Sequence, residues 1–514
     1  MSATAGQSLA LGVAGASLRL RSLLGDPGAA QREQLARIVR NNRRSRFGQA
    51  HDFASIADEA GYARQVPVRR YEALQPWIEA AAGGEAGALT EQAIVAFEET
   101  GGSTAGPRLV PYTAAGLAEF QRGLHAWLDD LLVALPALAQ GRFYWSISPA
   151  GRAPRRTASG MAVGLASDAA YFGAELAPSI VATLAVPAAV AACQDIREWR
   201  RETLAHLLAC EDLTMISVWS PTFLTSLLAS ARGDLDELAR RWSGLPACNR
   251  RRTDRVLREL AGVQPDYARI WPRLALISCW DQAGSHGPAQ ALRDAFPHVQ
   301  VQGKGLLATE ALVSLPLHDQ PFPVLALQSG YFEFRDAAGA MHTVETVQDE
   351  AEYELVVSNA SGLYRYLIGD RVRVRGFAGR TPRLEFCGRD GGADLCGEKL
   401  TEAFVLRALA PHALRFGALA ADAAAMRYVL LLDAAETPAD AGTALAAQVE
   451  CALQRNPQYA HARLVGQLGA LAVARCLDPA ERWTALRLQA GQRLGDIKPP
   501  VLIADDAAMR QLES

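Results

Sequence analysis

The chain reads as an α/β protein. It is expected to have a large N-terminal region of α/β sheet, an antiparallel β-rich subdomain and a small α+β C-terminal region. Three observations carry this. Between residues 94 and 302, short apolar runs alternate with helical segments, as when strands are joined by crossover helices. From about 323 the texture becomes PVLALQ, YFEF, HTVETV, YELVVS, LYRYLI, RVRVRGF and RLEFCG, successive short strands split by turns. After Asp390-Gly391-Gly392 the mixed pattern returns. The expected organisation is a large unit over 1–388 with a β-rich part at 323–388, a hinge at 389–396 and a small unit at 397–514. A chain of 514 residues is in any case too long for one simple core.

The first hundred residues read as helices. Asp26-Pro27 is an N-cap followed by proline at the first helical position, and helical periodicity continues to about Gly48. The basic run Arg40 to Arg46 suits a solvated helix end, where the dipole favours cations. The same expectation covers Arg155-Arg156 and Arg250-Arg251-Arg252. A strand over 94–97 leads into a Gly-rich loop, then a helix capped by Thr113 and running to about Leu135. Further strands are expected at 143–147, 213–219, 274–280 and 299–302, with helices near 196–209, 222–241 and 286–295. Beyond the hinge, 398–409 and 437–454 read as helices and 426–432 as a strand.

Lys+Arg is 52 and Asp+Glu 55, a net charge of -3, which removes the electrostatic case for a nucleic-acid binder. No apolar run approaches the roughly 20 residues of a membrane span, and the N-terminal apolar stretch lacks a basic region ahead of it. A cytoplasmic location without membrane or nucleic-acid partners is expected. Eight cysteines show no CxxC pair and no zinc-ligand spacing, so reduced, mostly buried thiols are expected. Only three of the 52 basic residues are lysines: Lys304, Lys399 and Lys498. A surviving lysine marks sites that need a compact ammonium in place of a planar guanidinium.

Four segments carry candidate chemistry. Thr100-Gly101-Gly102-Ser103-Thr104-Ala105-Gly106-Pro107-Arg108 offers backbone N–H groups, hydroxyls and a cation to phosphate oxygens, although a surface turn reads equally well. It is not a Walker A loop, and it misses the hydrolase elbow G-x-S-x-G by its last residue. Ser361 to Asp370 ends in Gly-Asp, which is either a plain turn or an acceptor for vicinal ribose hydroxyls. Gly388-Arg389-Asp390, followed by Gly397-Glu398-Lys399, suits a hinge or a linker. Lys498 stands between Gly-Asp-Ile and two prolines, on a rigid loop and not on a solvated helix face.

The combination resembles the adenylate-forming enzymes, the acyl-CoA synthetase and luciferase superfamily: phosphate loop, Y-R-x-G-D segment, hinge and C-terminal lysine. Within it, the chain resembles the Gretchen Hagen 3 (auxin-responsive) family of acyl-acid amido synthetases. The likeness is carried by Tyr331-Phe-Glu-Phe334, Glu352 to Val357, Gly362-Leu-Tyr-Arg-Tyr366, Gly369-Asp370, Gly376-Phe377 and Lys399-x-Thr401-Glu402. Val66-Pro-Val68, Tyr71-Glu72, Trp271-Pro272 and Ile497-Lys498-x-Pro500 extend it over nearly the whole chain. Departures from the plant-type motifs suggest a divergent, bacterial branch.

The resemblance implies ATP and Mg²⁺ as cofactors, and it implies roles residue by residue. Gly102, Ser103, Thr104 and Gly106 match residues holding the β- and γ-phosphates, and Arg108 stands where the family usually has lysine. Thr309 and Glu310 end the segment Leu306-Leu-Ala-Thr-Glu310, with Glu310 toward Mg²⁺ and Leu306 replacing an aromatic residue. Asp370 matches the ribose-binding carboxylate and Arg389 the hinge arginine. Lys498 matches the lysine bridging the reacting carboxylate and the α-phosphate, and Lys399 a lysine beside the hinge. Lys304 has no counterpart, and its survival reads as chance. Tyr144, Trp145, Trp219, Phe223 and Trp280 are candidates for the acyl pocket, although core packing explains aromatics on strands as well.

The implied activity joins a carboxylic acid to AMP and then transfers the acyl group to an amine or amino acid. Transfer to a thiol, on CoA or a carrier protein, remains the alternative, as does a binding protein on a decayed adenylating fold. A serine hydrolase built on Ser103 lacks a motif for its histidine and aspartate.

Overall fold

The computed structural model describes residues 4–100, 108–145, 155–165, 168–193, 195–245, 249–262, 264–389, 392–393, 395, 398, 400–464, 468–492 and 494–513. The N-terminal region is helical. Asp26 accepts from the Ala29 N–H at 3.1 Å and caps the helix Pro27–Arg40. Its apolar face, with Leu35, Ile38 and Val39, packs with Phe47, Phe53 and Tyr62 into a small core. No helix among the described residues is long and apolar enough to cross a membrane.

Ile94–Thr100 and Arg108–Thr113 form an antiparallel hairpin with Thr100 opposite Arg108. The loop 101–107 that joins them lies outside the described residues. Thr113 accepts from the Gly116 N–H at 3.0 Å and starts the helix Ala114–Ala134, as the sequence predicts. Next come four parallel strands paired in chain order: Arg142–Trp145, Leu213–Ser217, Leu276–Cys279 and Gln300–Gly303. Side-chain alternation divides this sheet between two cores. Phe143, Met215 and Leu276 join Trp127, Leu128 and Leu131 of the long helix. Tyr144, Ile216 and Ile277 join Trp199, Leu224 and Trp271 on the other side. Because all four strands run the same way, their C-terminal ends open at one edge, where α/β sheets bind ligands.

Two expectations change here. The helix expected over 222–241 is two helices, Pro221–Ser230 and Leu235–Ser243, separated by a tight turn over Ala231–Asp234 that contains Gly233. Arg252 is not solvated: it is 3% exposed and donates to the carbonyls of Leu208, Cys210 and Ile270 at 3.0–3.2 Å. It satisfies helix-end carbonyls that would otherwise be buried without donors.

Residues 314–389 form a seven-stranded antiparallel sheet. The segments LYRYLI and RVRVRGF, expected as two strands, merge into one strand, Tyr366–Ala378. In HTVETV only His342, with Met341, joins the sheet. Arg365 stands just before the long strand with a positive φ of 47°. Its guanidinium grips both Glu333 carboxylate oxygens at 2.9 Å and donates to the Ala63 and Val66 carbonyls at 3.0 and 2.9 Å. Both charged side chains are about 95% buried. A bidentate pair with both Nη1 donors also satisfied is the geometry in which a buried ion pair is tolerated.

The C-terminal region has its own four-stranded sheet, Ala472–Cys476, Arg427–Asp433, Gly417–Asp422 and Leu502–Ile503, with helices Ala439–Leu453 and Pro479–Gln489 packed on it. Two cores line its faces. The helix expected from 398 begins at Glu402, because Thr401 caps it and Leu400–Thr401 pairs with Gly392–Ala393.

Removing the guanidinium by Arg365→Met strands the buried Glu333 carboxylate and should cost about 3–5 kcal/mol. Urea denaturation should record that loss, and Arg365→Lys should not recover it, since an ammonium lacks the fork. A second expectation concerns Glu119, which is buried and accepts from Gln34 and from the Ala360 N–H at 2.9 Å. Burial pushes its pKa up to about 7 from 4.5. The folded chain therefore holds this proton more tightly than the unfolded one, and the stability it adds below pH about 4.5 is lost as the pH rises through 7. Relative to a Glu119→Gln variant, the wild type should lose on the order of 3 kcal/mol across that window.

Candidate active site

Asp370 lies within the strand Tyr366–Ala378 and is 1% exposed. Antiparallel register places it opposite Arg389, so the two expected ribose-side residues share one rung of the sheet. Gly369 and Gly388, their neighbours, both have positive φ, 87° and 122°. The Cβ of a residue at 388 would come within 3.3 Å of the Ala403 backbone, so the close approach of the C-terminal region requires glycine there.

Thr309 and Glu310 sit between this sheet and the hairpin. The Tyr112 hydroxyl donates to the Thr309 carbonyl at 2.7 Å, and Asn359 Nδ2 donates to the Glu310 carbonyl at 2.9 Å. The Glu310 residue is buried. Glu98, at the end of the hairpin, is also buried, and its Oε1 accepts from the Leu165 N–H at 2.8 Å and the Tyr171 hydroxyl at 3.0 Å. Burial raises the Tyr112 pKa, and the nearby Glu98 and Glu310 push it the same way. A carboxylate here suits Mg²⁺, a hard cation that takes one or two protein oxygens and otherwise keeps water and phosphate. No group of three or more potential metal ligands occurs among the described residues. Leu306 packs into the main core and its N–H donates to Ser314 Oγ at 3.0 Å.

Arg108 sits at the loop end of the hairpin, opposite Thr100. It donates to Glu72 at 2.8 Å, with its guanidinium 5.1 Å from the Tyr71 ring centroid. Gly102, Ser103, Thr104, Gly106 and Lys399 lie outside the described residues, as does the side chain of Arg389.

Lys498 follows the turn Leu494–Asp496. Its ammonium lies 4.6 Å from the Trp280 ring centroid and 5.6 Å from that of Phe386. Trp280 follows a parallel strand and Phe386 belongs to the antiparallel sheet, so the C-terminal lysine rests where the two sheets meet. The Trp483 indole N–H donates to the Lys498 carbonyl at 2.9 Å and fixes the loop.

The five candidate aromatics separate. Tyr144 and Phe223 belong to the core between the parallel sheet and its helices. Phe223 also lines a crevice against Thr484, Leu494 and Ile497. Trp145 is partly buried and meets Phe172 and Trp127 edge-on. Trp219 and Trp280 are partly exposed neighbours with ring centroids 5.7 Å apart.

Lys304, whose survival read as chance, instead occupies a built environment. It directly follows the strand Gln300–Gly303, and its ammonium donates to Ser217 Oγ at 2.7 Å and Ser278 Oγ at 3.3 Å. The rings of Trp219 and Trp127 flank it at 5.2 and 5.6 Å. Glu98 and Tyr112 were also missed as site residues. A lysine enclosed by two glycines at a strand end was the available signal for Lys304; nothing local distinguishes Glu98 from any strand glutamate.

A four-stranded parallel sheet opening onto a seven-stranded antiparallel one, with a further four-stranded sheet beyond it in the chain, is a fold shared with solved acyl acid amido synthetases. The solved AtGH3.15 acyl acid amido synthetase in complex with 2,4-DB superposes with a TM-score of 0.84 at 20% identity, covering 97% of this chain and 95% of that one. The chain belongs to the GH3 family: residues 17–301 match the GH3 family N-terminal domain and 323–389 the GH3 family central domain. It is 34% identical over 157 residues to the Probable indole-3-acetic acid-amido synthetase GH3.6 of Oryza sativa subsp. japonica, a match spanning 27% of this chain and 32% of that protein. It is 23% identical to the Indole-3-acetic acid-amido synthetase GH3.2 of Arabidopsis thaliana, over 71% of this chain and 74% of that one.

Proposed function

We propose that this chain is an ATP-dependent acyl-acid ligase. A carboxylate oxygen of the acid attacks the α-phosphorus of ATP, the α–β bridging P–O bond breaks, and acyl-AMP forms as pyrophosphate leaves. An amine, taken to be that of an amino acid, then attacks the acyl carbon. AMP departs and the nitrogen loses a proton, leaving an amide. The observation that carries this reading is the seating of the Lys498 ammonium against Trp280 and Phe386, the latter paired in the antiparallel sheet with Val372, two residues along the strand from Asp370.

The chemistry explains why an ammonium belongs there. A carboxylate and a phosphate at about 4 Å repel by several kcal/mol in a partly desolvated site. Lys498 between them offsets that repulsion as charge develops in the transition state. Asp370 would accept from the ribose hydroxyls, with Arg389 beside it. Gly102, Ser103, Thr104 and Gly106 would cradle the outer phosphates, with Arg108 directly after their loop and Thr309 nearby. Lys399 would lie beside the hinge. Glu310 would hold Mg²⁺, which when bound neutralises the leaving pyrophosphate. Carrying the lysine on a separate unit over 397–514 would let it withdraw, by rotation at 389–396, when the amine must enter.

ATP–pyrophosphate exchange over a panel of carboxylic acids tests this. Exchange should require an acid and fall roughly 10²–10³-fold in Lys498→Ala with ATP binding retained, the loss expected when one transition-state donor is removed. Asp370→Ala should instead raise the KM for ATP. Exchange independent of any acid, or unchanged in Lys498→Ala, would refute the assignment. Mass analysis after adding amino acids or CoA separates amide from thioester.

A further inference from the structure

Lys304 has no role in the reaction just described. Its backbone N–H donates to the Cys279 carbonyl at 3.1 Å, which fixes it at the C-terminal edge of the parallel sheet. Trp127, which supplies one of its flanking faces, is locked by its indole N–H donating to Gln302 Oε1 at 3.0 Å. An ammonium has three donors, and two go to Ser217 and Ser278. No carboxylate among the described residues lies within ion-pair distance of it; Asp281, two residues beyond the neighbouring strand, is paired with Arg293 at 3.0 Å. Lys304 is deep in the fold, yet the residue keeps some accessible surface. Burial lowers its pKa to about 8, against a small opposing contribution from Cys279, so the ammonium remains the main form at neutral pH. A buried cation that faces hydroxyls and ring faces, with no counter-charge among the described residues, is costly.

Its position supplies the missing partner. Lys304 touches one end of the Trp219–Trp280 pair, and Lys498 the other. An acid lying along these two rings with its reacting carboxylate at Lys498 has its far end at Lys304. We propose that Lys304 is the specificity-determining residue of the acyl pocket and selects acids that carry a second oxygen acceptor, most strongly a second carboxylate, at the end remote from the reacting carboxyl. This rests on the adenylating reading for the identity of the Lys498 end. Ser217 and Ser278 hold the ammonium in place, and the tryptophan faces stabilise it by cation–π attraction while the pocket is dry.

The test uses the full chain and three pairs of acids of increasing length: benzoate and terephthalate, hexanoate and adipate, decanoate and sebacate. Binding is read by quenching of tryptophan fluorescence, without turnover. In the wild type at least one diacid should bind about tenfold or more tightly than its matching monoacid. Lys304→Met should weaken that diacid roughly 30-fold or more, the loss expected for truncating a buried charge partner. It should leave the monoacid unchanged or tighter. Lys304→Gln keeps a donor without the charge and should fall between. The proposal is overturned if no pair shows a preference in the wild type, or if Lys304→Met weakens both members of a pair equally, the mark of a purely structural lysine. Thermal melting of both variants controls for folding. The same acids in pyrophosphate exchange keep the two readings apart: a binding preference lost in Lys304→Met, without exchange from any acid, would sink adenylation and leave the recognition role standing.

Discussion

Arg365 is the fastening on which the arrangement of this molecule depends. Its fork closes on Glu333, which lies two strands away in the same antiparallel sheet, and its Nη1 donors close on the Ala63 and Val66 carbonyls of the N-terminal helical region. The backbone on either side is committed as well: the Arg69 N–H donates to the Arg365 carbonyl, and the Leu367 N–H donates back to Arg69. One residue therefore joins the helical cap, the inner strands and the start of the strand that carries Asp370. The left-handed backbone at Arg365 is a local cost that such a set of contacts can hold in place. With that turn fixed, Asp370 falls five residues along a strand whose register is already determined.

The site follows from how two kinds of sheet meet. The parallel sheet delivers side chains at its C-terminal edge, where Ser217, Ser278 and Lys304 converge and the chain continues to Trp219 and Trp280. The antiparallel sheet delivers Asp370 and Phe386 from its long strands. The C-terminal unit adds Lys498 at the seam. Each source is held by strand pairing or a hydrogen-bonded turn, an arrangement suited to holding charge in a partly desolvated cleft.

Much of this was legible from local signals. Helix Ile196–Ala209 and helix His286–Ala295 match their expected limits, because caps and periodicity are encoded within a few residues. Strand positions in the parallel sheet were legible as apolar runs, although Leu213–Ser217 and Leu276–Cys279 are shorter than their runs and Gln300–Gly303 is shifted by one residue. Gly417–Asp422 was not legible: Gly-Ala-Leu-Ala-Ala-Asp has little strand propensity, and it is a strand because it is enclosed between Arg427–Asp433 and Leu502–Ile503. Among the aromatics, type alone could not separate Tyr144 and Phe223, which fill the core, from Trp219 and Trp280, which flank an ammonium.

By itself the sequence determined the α/β class and the limits of helices such as Ile196–Ala209, and it singled out Glu310, Asp370 and Lys498 as motif residues, because periodicity, capping and short motifs act over a few residues of chain. Tertiary structure decided which distant groups become neighbours. It set Asp370 opposite Arg389 through strand register, put Arg252 on buried carbonyls and not in solvent, and turned Lys304 from an isolated lysine into a buried cation between Trp127 and Trp219. The physical reason is common to all three: burial and desolvation depend on what the rest of the chain packs around a group, and no local stretch of sequence encodes that.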